Sequence, residues 1–164
     1  MAGELFTLRA RLRNPATSVG DSDSGQSGFS DLKSKLADLS HKSEAKESSP
    51  ERGVARRVLN QYLITFLEES RTLIQTKKYD LAISNLAFDA QLLPDNTRLL
   101  YNLTCAYALK GDKRRAIETL GKAVQKGFAN VAELERNSQL DTIRDEAGFK
   151  KLVEEMKRVS GSRN

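Results

Sequence analysis

Cysteine and histidine are almost missing from this chain: Cys105 and His41 are the only residues of their kinds. One Cys excludes an internal disulfide, a multi-cysteine zinc site and an iron–sulfur cluster; one His excludes a two-histidine metal site. Trp is absent, and ten Gly with three Pro exclude collagen-like and Pro-rich classes. Long apolar runs are lacking too, and none approaches the roughly 18–20 residues that a bilayer-crossing helix needs. An apolar share of 38% against 30% charged is slightly low for a wholly folded chain, so part of it is expected to be unfolded. With 164 residues there is room for one domain and a tail.

The charge surplus is +5, from 27 basic and 22 acidic side chains. Residues 1–50 hold seven of each sign, so the surplus lies entirely in 51–164. Nucleic acid, an acidic membrane surface or acidic peptides could all be drawn to such a chain. Arg56-Arg57 and Lys113-Arg114-Arg115 stand out as clusters. A solvated helix face is the plainer reading of both clusters, and anion binding the sharper one.

Ten of the 32 residues from Ser18 to Ser49 are Ser. Such a stretch buries too little apolar surface to offset about 1–2 kcal/mol of backbone entropy per residue. Residues 1–49 are therefore expected to be a disordered tail, with 14–50 as its linker. Phe29, Leu32, Leu36 and Leu39 form one island of helical spacing, with Ser30 placed to cap it. That island at 29–39 is either a transient helix or a motif that docks into a groove. The opening MAGELFTLRARLR has no apolar core and no cleavage site of a secretory signal, which gives the expectation of a cytoplasmic protein. Leu5, Leu8 and Leu12 opposite Arg9, Arg11 and Arg13 leave open a transit peptide, a basic surface helix or the severed end of a longer chain.

From Ser49 onward the periodicity is helical throughout. Ser49-Pro50 reads as an N-cap with Pro at the first helical position. Val58, Tyr62, Phe66, Ser70 and Leu73 mark one face, up to Thr76-Lys77-Lys78. A second helix begins near Tyr79 and stops before Pro94-Asp95-Asn96, a third ends at Gly111, and a fourth ends at Gly127. No stretch alternates with period two, so the expected class is all-α.

A shift of 34 residues superimposes Ser70 on Thr104, Leu73 on Tyr107, Ala82 on Ala116, Leu86 on Leu120 and Pro94 on Phe128. Residues 97–130 carry Leu100, Leu103, Thr104, Tyr107, Gly111-Asp112, Ala116, Leu120 and Ala123 at spacings that resemble the tetratricopeptide repeat (TPR) family. Residues 63–96 match at Phe66, Ser70, Tyr79-Asp80, Ala82, Leu86 and Pro94. They depart at Glu69 and Asp89, where Leu and Ala are usual. Glu69 would face a preceding repeat that is missing here, so its charge can stay solvated; Asp89 suggests a shifted contact. Residues 131–159, with Asn130 and Asp145 as caps, are similar to the closing segment of bacterial TPR proteins. The resemblance implies a short right-handed α-solenoid over 50–159, namely two helix pairs plus a cap, followed by a disordered tail at 160–164.

Catalytic chemistry finds no footing. His41 lies in the Ser-rich tail, far along the chain from Cys105. Gly121-Lys122 falls inside a helix without the other glycines of a phosphate loop. Glu133, Glu135, Asp141, Asp145 and Glu146 are dense, but they lack the Asp/Asn ladder and central Gly of a calcium loop. No basic stripe with interleaved aromatics suggests nucleic acid. The expectation is a non-enzyme with no catalytic residue, metal or cofactor.

The TPR resemblance implies a concave groove that binds a protein or peptide segment. Its lining would be Arg98, Tyr101, Asn102, Cys105, Ala108 and Leu109. Asn102 stands at the asparagine of TPRs that clamp a terminal carboxylate. The other clamp positions fall on Leu67, Arg71, Ala132 and Arg136; two of these are apolar, but Arg71 and Arg136 favour an acidic peptide. Two alternatives remain: a C-terminal accessory part of a larger bacterial enzyme or envelope protein, and self-association through the long first helix or the Phe29–Leu39 segment. The oligomeric expectation is a monomer or weak homo-oligomer.

Overall fold

The structure, a computed structural model, describes residues 2–13, 22–45 and 49–161. Every regular element among them is helical, so the class is all-α. The chain divides into two compact units, Met1–Glu68 and Glu69–Asn164.

The first unit contains α1 (Ala2–Arg13), α2 (Ser22–Glu44) and α3 (Pro50–Gln75) as far as Glu68. The expected disorder over 1–49 is corrected here. The described part of that stretch is helical, while 14–21 and 46–48 lie outside the described residues. Burial of apolar side chains is the physical reason. Leu5 is buried on α1, and Leu32, Leu36 and Leu39 are buried along one stripe of α2. Ala55, Leu59, Tyr62 and Phe66 form the matching stripe of α3. Each large apolar side chain among them removed from water contributes about 1.5–3 kcal/mol, which an isolated helix cannot gain. The Phe6 ring lies 6.1 Å from Tyr62 and 5.4 Å from Phe66, and the Arg9 guanidinium sits 3.3 Å above the Phe66 ring. Gly28 faces Leu8 and Leu12; a Cβ there would come within 3.2 Å of Leu12 Cδ2. Ser49 does cap α3, its Oγ accepting the Arg52 amide at 3.1 Å.

The second unit holds the end of α3, then α4 (Tyr79–Leu92), α5 (Thr97–Lys110) and α6 (Lys113–Gln125). Next come α7 (Val131–Arg136), a 3₁₀ turn at Ser138–Leu140, α8 (Asp141–Arg144) and α9 (Ala147–Gly161). Helix α9 thus runs into the expected tail at 160–164; residues 162–164 are outside the described set. Helix α5 packs between α4 and α6, and α9 packs against α6, α7 and α8.

Helix–helix turns at positions 77 and 111, a step of 34, have the same construction. At the first, the Lys77 amide donates to Ile74 O at 2.9 Å and Lys78 to Leu73 O at 2.8 Å. At the second, Gly111 donates to Ala108 O and Asp112 to Tyr107 O, both at 2.9 Å. Both turns place their central residue in the left-handed region, Lys77 at φ 58° and Gly111 at φ 84°. Burial recurs with the same step: Ser70 and Thr104, Ala82 and Ala116, Leu86 and Leu120, and Asp89 and Ala123 are all buried.

Candidate functional site

Helix α5 carries most of the expected groove residues. Asn96 starts it, accepting the Leu99 amide at 3.0 Å, and Gly111 ends it. Between those caps, Tyr101, Cys105 and Ala108 fall at i, i+4 and i+7, on one stripe. The stripe is not open. Tyr101 is 5% exposed, Cys105 1% and Ala108 0%.

The chain's own closing segment covers it. Asn137 Nδ2 donates to Tyr101 Oη at 2.7 Å and reaches Cys105 Sγ at 3.5 Å. Asn137 Oδ1 accepts the Gln139 amide at 3.0 Å, which fixes the amide from its other side. Thr142 Oγ1 donates to Ala108 O at 2.8 Å. The Phe128 ring stacks on Tyr101 with centroids 4.8 Å apart and planes 11° from parallel. Tyr101, Cys105 and Ala108 are therefore corrected from groove lining to buried contacts beneath residues 128–142. Burial pushes the Cys105 thiol up to about 12 and raises the Tyr101 hydroxyl above its ordinary range as well. Neither is poised for chemistry near neutral pH.

The remaining expected site residues are more accessible. Arg98 is exposed on α5, with Asn102 and Leu109 half-buried. Asn102 spends a donor on its own helix, Nδ2 to Arg98 O at 2.9 Å. Arg71 is exposed on α3 and Arg136 on α7. Neither Arg98 nor Arg136 makes an ion pair with a described residue.

The acidic side chains singled out in the sequence beyond α6 have partners of their own. Glu133 accepts from Asn130 at 3.1 Å, Glu135 from Lys157 at 2.8 Å, and Glu146 from Lys113 at 2.8 Å. Lys157 holds the Glu135 carboxyl below its usual range. Asp145 pairs with Lys150 at 3.3 Å. Asp141 and the carbonyls of Leu134, Glu135 and Asn137 all accept from the Arg144 guanidinium, at 2.6–3.4 Å. No group of three or more His, Cys, Asp or Glu among the described residues is arranged to hold a metal ion, and no described helix is long and apolar enough to cross a membrane.

The sealing residues Asn137, Thr142 and Arg144 were not among the expected site residues. Asn137 and Arg144 act largely on main-chain or distant partners, so only the polar run after Leu134 hinted at them. No protein-family model, curated protein or solved structure matches this chain. What the fold defines is an all-α chain whose α5 face is covered by its own following residues.

Proposed function

We propose that the chain is a non-catalytic protein-binding module of the TPR type, with residues 63–130 as its two repeats and an acidic peptide as its ligand. The 34-residue recurrence of turn geometry and burial supports the repeat reading. The observation that carries the binding reading is the state of Arg98 and Arg136: both guanidiniums stand exposed without an ion pair, whereas Lys113, Arg144 and Lys157 are engaged. Arginine is suited to this task because its planar fork matches a carboxylate. Leu109 adds partly exposed apolar surface on the same helix as Arg98. Tyr101 is left out of this surface, since its ring and hydroxyl are already occupied.

Fluorescence anisotropy with peptides of graded acidity tests this reading, using wild type beside Arg98→Glu/Arg136→Glu. Binding should grow with peptide negative charge, weaken with salt, and fall about 10-fold or more in the charge-reversed variant. Acidic peptides that bind both proteins equally, or neither, would refute it.

A further inference from the structure

A second surface lies on the other helices of the second unit. Helices α6 and α9 start together: Lys113 Nζ meets Glu146 Oε1 at 2.8 Å, and a Cβ on Gly148 would lie only 2.8 Å from Ile117 Cγ2. Beyond that contact both helices border an open cleft of about 520 Å³. Half-buried Ile117 and Leu152 give it apolar walls. Gly121 lies in its floor, and a Cβ there would meet nothing within 4 Å. Glycine inside a helix is less stabilising than alanine, and here no internal packing offsets that.

The rim has a particular charge order. Along α6 it runs Glu118 then Lys122, and along α9 it runs Lys151 then Glu155. Because the two helices run the same way along the cleft, these charges form a checkerboard. Turned by half a revolution about either axis in the plane of the face, every charge meets its opposite. Lys122, Lys151 and Glu155 make no ion pair within the described chain, and Glu118 is held only by the exposed Arg114 at 3.1 Å. The four rim charges also cancel, on a chain whose net charge of +5 otherwise repels its copies. Val159, 52% exposed, extends the apolar stripe of α9 past Leu152.

We infer that the α6–α9 face is a self-complementary docking surface for a second copy of this chain. A twofold contact presents the same patch from both sides, and a checkerboard satisfies that condition where a patch of one sign cannot. Gly121 lets the two backbones approach at the centre.

Sedimentation equilibrium of the full chain tests this, at concentrations up to about 1 mM, the range where a weak dimer populates. Wild type should dimerise reversibly. Lys122→Glu should weaken the dimer about 10-fold by facing like charges, and Gly121→Arg should abolish it by filling the cleft. Adding either Glu155→Lys or Glu118→Lys to Lys122→Glu should restore the affinity, and which one does so identifies the axis. Circular dichroism confirms that each variant stays helical. A wild type that remains monomeric, or a dimer indifferent to both Lys122→Glu and Gly121→Arg, would overturn the inference.

Discussion

Lys77 holds a backbone conformation that costs an L-residue about 1–2 kcal/mol, since its Cβ crowds the following carbonyl at positive φ. Gly111 makes the same turn without that cost, in space where a Cβ would meet nothing within 4 Å. Lys77→Gly should therefore raise unfolding free energy by roughly 0.5–1 kcal/mol, and Gly111→Ala should lower it by a similar amount. Urea denaturation of the two variants checks this, and a shift of the same sign in both would contradict it. Cys105 gives a second residue-scale prediction. Its thiol ordinarily ionises at 9.0 and is pushed up to about 12 by burial. Between those values the unfolded chain has released a proton that the folded chain keeps. Stability from this group is thus fully present below pH 9.0 and is lost as pH rises toward 12. Tyr101, raised for the same reason, adds a loss beginning near 10.0. The denaturation midpoint should fall with rising alkalinity, and Cys105→Ala should remove the earlier part of that fall. An unchanged alkaline profile in the variant would count against burial as the cause.

Among the elements, the boundaries were legible because their chemistry is local. Ser49, Asn96 and Asn130 accept amides two or three residues into the following helix, and Gly111 and Gly127 take the positive φ that ends one. The helical spacing of Phe29, Leu32, Leu36 and Leu39 was equally plain. What remained hidden was whether that face would be buried, because the Ser-rich composition around it says nothing about Tyr62, Phe66 and the rest of the α3 stripe. The closure of α5 was hidden for a related reason. Asn137 and Thr142 reach residues 36 and 34 positions earlier, and one accepting atom is a main-chain carbonyl that no side-chain pattern encodes. Arg144 ties this closing segment together through one fork, donating to three carbonyls around the end of α7 and to Asp141. A lysine has neither the plane nor the number of donors to repeat this. Arg144→Lys should cost about 1–2 kcal/mol and speed amide hydrogen exchange across 134–142 more than across α6. Uniform exchange rates in variant and wild type would show that the fork holds nothing in place.

For the molecule as a whole, charge and burial divide the labour between the described surfaces. The basic surplus lies in residues 51–164, where Lys113, Lys126, Lys150 and Lys157 are paired with Glu146, Asp95, Asp145 and Glu135. Arg98 and Arg136 remain exposed without an ion pair, and the four rim charges of the α6–α9 cleft cancel. The closure depends on the following residues: were 137–142 to leave α5, Cys105 and Ala108 would lose cover that now buries them. The single thiol of the chain reports on that alternative. Labelling of Cys105 by an aromatic disulfide reagent, followed with helicity under native conditions, should proceed at least about 100-fold more slowly than in the urea-unfolded chain, because a residue inside the fold reacts only on opening. Arg144→Lys should hasten it without changing the helical content. Native labelling at the unfolded rate, with helicity intact, would contradict the closed α5 face and return the groove to Tyr101.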